Sequence, residues 1–475
     1  MAEPARRRGG NRPRNAARPP AAAGRGRPVA DPARAAALDV LKAVRVNDAY
    51  ANLVLPAVLR EHGLTGRDAA FATELASGTL RRQGTYDAVL AACIDRSLAK
   101  VEAKVLDALR LGTHQLLGMR VPAHAAISTT VDLVRSRVGA GAAGFANAVL
   151  RRVSERDLDA WVAQVAPDAG TDPVGHAAIA HSHPRWVVEQ LRQAVGPEEL
   201  DALLAADNAA PRVTLVARPG RATREELPGT PTPYSPYGVV LDGGDPGAVP
   251  AVAEGRAGVQ DEGSQLVAEA LAAAPVDGPD RLWLDLCAGP GGKAALLAAL
   301  AAQRGARLLA IERQPHRARL VRRAVTGSDG APGLLGVLAA DGTAAPLPPG
   351  SVDRVLVDAP CTGLGALRRR PEARWRRRPD DLLELVLLQR ALVTSALDLV
   401  RPGGVVLYAT CSPVTAETSG VVTSVLEQRR DAVLEDAAGL LPQVPDAAGP
   451  TPGTLQLWPH RHGTDAMFMA LLRKR

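Results

Sequence analysis

Residues 281–293 read RLWLDLCAGPGGK and set the fold class as α/β. Leu282, Trp283, Leu284 and Leu286 surround a carboxylate, Asp285, and the chain then turns glycine-rich at Gly289, Gly291 and Gly292. That order is how a buried parallel strand passes into a nucleotide-binding turn. The glycines reach dihedrals closed to other residues and let a ligand approach the backbone. The Ala- and Leu-rich run 293–302 is the expected following helix, its free amides and positive dipole end facing the ligand. The spacing is neither the Gly-x-Gly-x-x-Gly of dinucleotide enzymes nor the Gly-Lys-Ser/Thr of a phosphate-binding loop.

Outward from this stretch, three further apolar runs also end in acids. LLAIE ends in Glu312, the run beginning at Leu334 ends in Asp341, and VDRVLVDAP carries Asp358. Taken singly, each acid is an ordinary turn or cap residue. In a doubly wound sheet all four fall on one edge, and the second position is where a carboxylate accepts from ribose hydroxyls. A ligand with ribose, amine and base fits that edge, and S-adenosyl-L-methionine fits it better than a dinucleotide.

Two of only four cysteines follow strand ends on the same edge: Cys361 after Asp358, and Cys411 in GGVVLYATCSP. Such a pair suits methylation of pyrimidine carbon 5. A thiolate adding to carbon 6 makes carbon 5 enamine-like, so that it attacks a sulfonium methyl. Addition needs the neighbouring ring nitrogen protonated or hydrogen-bonded, a task for a carboxyl group such as Asp358. Between the cysteines, residues 367–378 hold seven arginines with Trp375. Arg368, Arg369, Arg370, Arg374 and Trp375 are the expected RNA-binding residues, as a phosphate clamp with a stacking ring. A cytosine in a paired region would have to be extruded, so an unpaired target is expected.

At 475 residues the chain exceeds one core, and two or three domains are expected. No apolar run is long enough to span a bilayer and no charged-then-apolar leader is seen, so the expected location is the cytoplasm, with no membrane partner. The cysteines lack metal-ligand spacing, the pairs His181/His183 and His460/His462 have no acid or thiol at ligand spacing, and no metal is expected. Net charge is +7, and the first thirty residues, with eight arginines against Glu3, account for it. That Pro-, Gly- and Arg-rich tail cannot bury a core. Lysine occurs only five times, which makes Lys293, directly after the glycine turn, a chosen ammonium.

Residues 32–153 carry helical periodicity, as at Ile127, Val131, Val134 and Val138. HAAI, FANAVLRR and ELASGTLRR there resemble the NusB-type RNA-binding domain of antitermination factors, which makes Arg81, Arg82, Arg151 and Arg152 basic candidates. DLCAGPGGK, DAPCTGLGALRRRPEARW, YATCS and the closing LWPHRHGTDAMFMALL resemble the motifs of the Sun family of RNA cytosine-5 methyltransferases. The resemblance implies methyl transfer from S-adenosylmethionine to a cytosine of small-subunit (16S) ribosomal RNA, with Cys411 as nucleophile and Cys361 assisting product release. It also implies that Asp285, Glu312, Asp341 and the turn Cys287, Ala288, Gly289, Pro290, Gly291, Gly292 and Lys293 hold the cofactor, while Lys293 and Asp358 assist at the base. Thr418 after Glu417, where the family often carries Asn, is a departure.

The expected division is a disordered basic tail at 1–31, a NusB-like all-α domain at 32–154, a linker at 155–180, a small α/β RNA-recognition-like subdomain at 181–256, and a Rossmann-like class I methyltransferase domain at 257–475. The alternatives are an RNA-binding assembly or antitermination factor with a vestigial methyltransferase fold, and a cytosine-5 methyltransferase acting on transfer RNA or DNA. Loss of an acid or a thiol would mark the first, and none is missing.

Overall fold

The computed structural model describes residues 1–2, 31–327 and 330–475, so the arginine-rich tail lies outside the described residues. Seven helices, α1 (Pro32–Val46), α2 (Ala51–Glu61), α3 (Gly66–Arg81), α4 (Gln83–Cys93), α5 (Ala103–Leu117), α6 (Ala123–Arg137) and α7 (Ala140–Val153), form the first body. Asp31 caps α1 by accepting from Arg34 N at 2.9 Å, with Pro32 at the first helical position. Leu75, Leu90, Leu109 and Leu150 are its buried centre, and Cys93 packs beside them.

The stretch expected as a linker at 155–180 is instead two helices, α8 (Leu158–Val165) and α9 (Pro173–Ala180). Two of its four Asp residues are caps: Asp157 and Asp172 accept from Ala160 N and Gly175 N. Trp161 is buried in the bundle core, its indole donating to Val153 O at 2.9 Å. With α10 (Arg185–Val195) and α11 (Leu200–Asp207), α9 builds a second apolar cluster that includes Leu364, Leu367 and Val414 from the loops around the two cysteines.

A small antiparallel sheet follows, ordered β2 (Thr230–Pro231), β3 (Gly238–Val240), β1 (Thr214–Ala217), β4 (Ala257–Val259), with the short α12 (Pro250–Ala253) against it. The boundary expected at 256 cuts this sheet: β4 pairs with β1, Leu215 opposite Val259. Ala257, at the start of β4, is buried.

The large sheet begins after α13 (Glu262–Ala273). Its strands are β5 (Leu282–Asp285), β6 (Arg307–Ile311), β7 (Leu334–Leu338), β8 (Val352–Asp358), β9 (Val400–Thr410), β10 (Ala432–Glu435), β11 (Leu455–Gln456) and β12 (Phe468–Lys474). The order is β10-β12-β9-β8-β5-β6-β7, with β11 on β12. β5 to β9 run parallel, and β12 is antiparallel to both β9 and β10. α13, α14 (Gly292–Gln303) and α15 (Pro315–Thr326) cover one face, and α17 (Pro379–Leu399) and α18 (Ser419–Gln428) the other; α16 (Ala373–Arg376) is a single turn between the cysteines, and α19 (Pro459–His462) another before β12. The order reverses between β5 and β8, which puts a crevice at their carboxyl ends. Among the described residues no helix is long and apolar enough to cross a membrane.

Candidate active site

β5 and β8 end in Asp285 and Asp358, Glu312 directly follows β6, and β7 leads to Asp341, so the four acids share one edge. They differ in exposure. Asp285 and Glu312 are buried, while Asp341 is exposed and accepts from Thr343 N at 2.9 Å and Thr343 Oγ1 at 2.7 Å. Burial, then the charge of Asp358, pushes Asp285 up to about 7. One of its oxygens accepts from Cys287 N at 3.3 Å; the other, Oδ2, is buried with no partner among the described residues.

The glycine turn is a cradle that side chains would fill. Any Cβ on Gly289 would run into the Glu312 carboxylate, and Gly291, at φ +115°, has Ala324 Cβ 2.7 Å from where its own would sit. Arg317 donates to Gly289 O at 2.8 Å, Ala288 N to Ile311 O at 2.9 Å, and the Gly289–Pro290 peptide is cis. Gln260 lies beside Gly292 with both amide atoms buried and unpartnered among the described residues. An orphaned carboxylate oxygen, an orphaned amide and a turn without side chains fit a ligand carrying an amine and polar edges. Cys287 in the turn is held well above the ordinary thiol range by burial and then Asp285, which leaves it a packing residue.

Lys293, in the first turn of α14, donates to Asp358 Oδ2 at 2.8 Å and to Ser264 Oγ at 3.3 Å. Burial alone would lower Lys293, but Asp358 prevails and the ammonium is held above its ordinary value. Cys361 and Cys411 meet with their sulfurs 3.5 Å apart. That contact, then the Lys293 ammonium, lowers Cys411 against burial and the charge of Asp358; the same contact, with burial, pushes Cys361 well up. Of the two thiols, Cys411 is thus the one whose thiolate form the surroundings favour.

Sequence reasoning missed the group that joins the two cysteine loops. Glu417, fully buried after β9, accepts from Thr362 N at 2.8 Å, Thr362 Oγ1 at 2.5 Å, Ser412 Oγ at 2.6 Å and Gln389 Nε2 at 3.0 Å. Thr362 follows one cysteine and Ser412 the other. The hydroxyl beside each thiol was the available signal. Gln260, in a loop, and Ser264, in the first turn of α13, were missed too, since a lone amide or hydroxyl carries no pattern.

The arginine segment departs most from expectation. Arg374 is fully buried, donating to Ser182 O at 3.0 Å, Asn208 Oδ1 at 2.9 Å and Asp207 O at 3.3 Å. Arg368 lies 3.4 Å from Asp261, Arg369 donates to Asp465 at 2.9 Å, and Arg370 stands over the Tyr50 ring. Trp375 packs on Gly84 of α4. The expected phosphate clamp is instead a clasp: the buried acids Asp261 and Asp465 take Arg368 and Arg369, while polar groups of neighbouring bodies take Arg374 and Arg376. Of the earlier candidates in the first body, Arg81 is buried against Glu74, Arg82 donates to Ala180 O, Arg152 donates to Cys93 O, and Arg151 is exposed.

Residues 270–473 match the family described as 16S rRNA methyltransferase RsmB/F, and residues 31–155 match the NusB family. A Mycobacterium tuberculosis protein named "Putative methyltransferase Rv1407" is 54% identical over 94% of this chain and 97% of its own length. The ribosomal RNA small subunit methyltransferase B of Pseudomonas syringae is 33% identical over 93% of this chain and 96% of its own. Among solved structures, PH0851 matches with a TM-score of 0.77 at 23% identity, covering 94% of this chain and 99% of that one, and NSun6 from Pyrococcus horikoshii with SFG matches with 0.51 at 18%, covering 61% and 98%. The structural likenesses show the fold. On the sequence matches, the chain belongs to the 16S rRNA methyltransferase RsmB/F family and is a methyltransferase with a NusB family region at its front.

Proposed function

We propose that this protein methylates carbon 5 of a cytosine in small-subunit (16S) ribosomal RNA through a covalent bond between Cys411 and carbon 6. The observation that carries the reading is the thiol pair, with sulfurs 3.5 Å apart, beside the Lys293–Asp358 ion pair at the switch point of the sheet.

Asp285, Glu312, Asp341, Gln260 and the turn 287–292 would hold S-adenosylmethionine, which supplies an electrophilic methyl group. Asp285 Oδ2 and the Gln260 amide are free to take its amino-acid end, and the buried Glu312 its ribose hydroxyls. At the base, the Asp358 carboxylate accepts from the exocyclic amine while the Lys293 ammonium donates to the adjoining ring nitrogen, which draws electrons from carbon 6. The Cys411 thiolate adds there, and carbon 5 becomes the nucleophile. Once carbon 5 has taken the methyl group and S-adenosylhomocysteine is left, its proton passes to water, the carbon 6–sulfur bond breaks, and Cys411 is expelled as thiolate next to the Cys361 sulfur. That contact stabilises the departing charge and sets Cys361's part in release.

The test incubates wild-type, Cys361→Ala and Cys411→Ala proteins with S-adenosylmethionine and small-subunit ribosomal RNA, followed by denaturing electrophoresis. A stable protein–RNA adduct in Cys361→Ala alone, with Cys411→Ala inert, is the expected result. An adduct trapped by Cys411→Ala reverses the roles, and no methylation by the wild type turns the reading toward an RNA-binding assembly factor or another nucleic acid.

A further inference from the structure

With the arginines of 368–376 engaged inside the protein, the charge that meets RNA must come from elsewhere. Among the described residues, α15 carries a cluster of exposed cations without ion pairs. Arg313, just before it, and Arg319, Arg322 and Arg323 on it are exposed and make no ion pair among the described residues; His316 and Leu320 share the outward side. The inward side is Ala318, Val321 and Val325, spaced three and four apart, so the helix turns the remainder to solvent. From 313 to 328 the sequence contains no Asp or Glu; Arg317 lies 3.6 Å from Glu312, and the charge of Arg313 reaches Asp341.

The helix also lies along a useful line. Its start follows Glu312 on the active edge. Its end receives the small sheet's body, Arg221 donating to Val325 O at 2.9 Å and Thr326 O at 3.1 Å. Twelve residues of helix span about 18 Å, so the arginines form a track from the crevice to the small sheet.

We propose that the outward face of α15 is the docking surface for the phosphate backbone of unpaired RNA flanking the target base, with Arg319, Arg322 and Arg323 each engaging a phosphate. Charge complementarity carries it: a polyanion fits a face of three or more cations with no acid between them. The inference rests on the RNA reading above but uses none of its catalytic residues.

The experiment measures binding of naked small-subunit ribosomal RNA across about 50 to 200 mM salt for wild type, Arg319→Ala/Arg322→Ala/Arg323→Ala, the corresponding triple Lys protein, and Arg430→Ala on the opposite layer as control. Releasing three phosphates should lower the slope of log affinity against log salt by about 2, at about 0.7 per phosphate. It should weaken binding about tenfold or more at the lower salt. The Lys protein should keep the slope, S-adenosylmethionine binding should not change, and Arg430→Ala should match wild type. A triple Ala protein with unchanged slope overturns the surface even if the wild type methylates. A defect seen only with assembled subunits and absent on naked RNA also overturns it, in favour of an acidic protein partner. A wild type that neither binds nor methylates the RNA instead defeats the functional reading itself.

Discussion

Glu417 makes no ion pair among the described residues and answers four donors from three segments of chain. A buried carboxylate is tolerated when its hydrogen bonds are complete, and these tie the residue after Cys361 to the residue after Cys411. Glu417→Gln places an amide hydrogen where a hydroxyl donates and should cost about 2 kcal/mol in denaturant unfolding. As a positioning residue, its loss should also raise the pH midpoint of Cys411 alkylation while S-adenosylmethionine binding persists; an unchanged midpoint would leave Glu417 a structural role only. Lys293→Met removes a charge that lowers Cys411, so the same midpoint should rise there as well. Asp285 carries the opposite linkage. Its folded value, about 7, lies above the ordinary carboxyl value, so the folded protein binds the proton more tightly and stability from this group falls as pH rises between about 4 and 7. Asp285→Asn should flatten thermal stability across that range and weaken S-adenosylmethionine binding. The convergence of these acids and thiols on one edge was legible in the sequence, because strand ends in a doubly wound sheet share an edge. The order of proton loss between the thiols was not, because it depends on a sulfur contact and an ammonium brought together by folding.

At the level of elements, strand runs ending in acids gave β5, β6 and β8 and the crevice, since buried parallel strands are continuously apolar. Helical periodicity likewise exposed the first body. What composition concealed was the use of charge. Residues 368–376 look like a solvent-facing or phosphate-facing run, yet Arg374 is buried where Asp207, pushed up to about 7 by burial, and His183, held down by burial, lie with it. An arginine inside a protein is indistinguishable in sequence from one outside until its partners are known. Arg374→Ala should therefore destabilise the protein by about 3 kcal/mol, as expected for breaking a buried charged network. Arg378→Ala, at an exposed position two residues past α16, should stay within about 0.5 kcal/mol in the same melt. Equal effects of the two would contradict the clasp. The segment 155–180 was misjudged for a related reason: Asp and Gly mark caps and turns of short helices as readily as they mark a linker.

In the whole molecule, the clasp ties the NusB family region to the chemistry. Glu372 accepts from Ala51 N at 3.1 Å, Arg376 lies 3.0 Å from Asp48, and Trp375 fills the space over Gly84, while Arg377 next to them donates to Cys361 O and Thr362 O. A Cβ at position 84 would sit 2.6 Å from Trp375 Cζ2. Gly84→Ala should push the ring aside, and hydrogen exchange in 366–378 should speed up although the substitution is on the other body; unchanged exchange there would mean the two bodies are independent. A second feature of the large sheet bears on when the enzyme becomes competent. β12 is synthesised after β9 and β10 yet lies between them, with Phe468 opposite Thr410, the residue before Cys411. Asp465 and Ala466, which hold Arg369 and Gly365, arrive with it. A nascent chain thus carries Cys411 on an open strand edge, without the contacts that seat the neighbouring loop. The working geometry of the thiol pair is reached only after β12 has been laid in, so reactivity is timed by translation: the site is among the last parts of the molecule to exist.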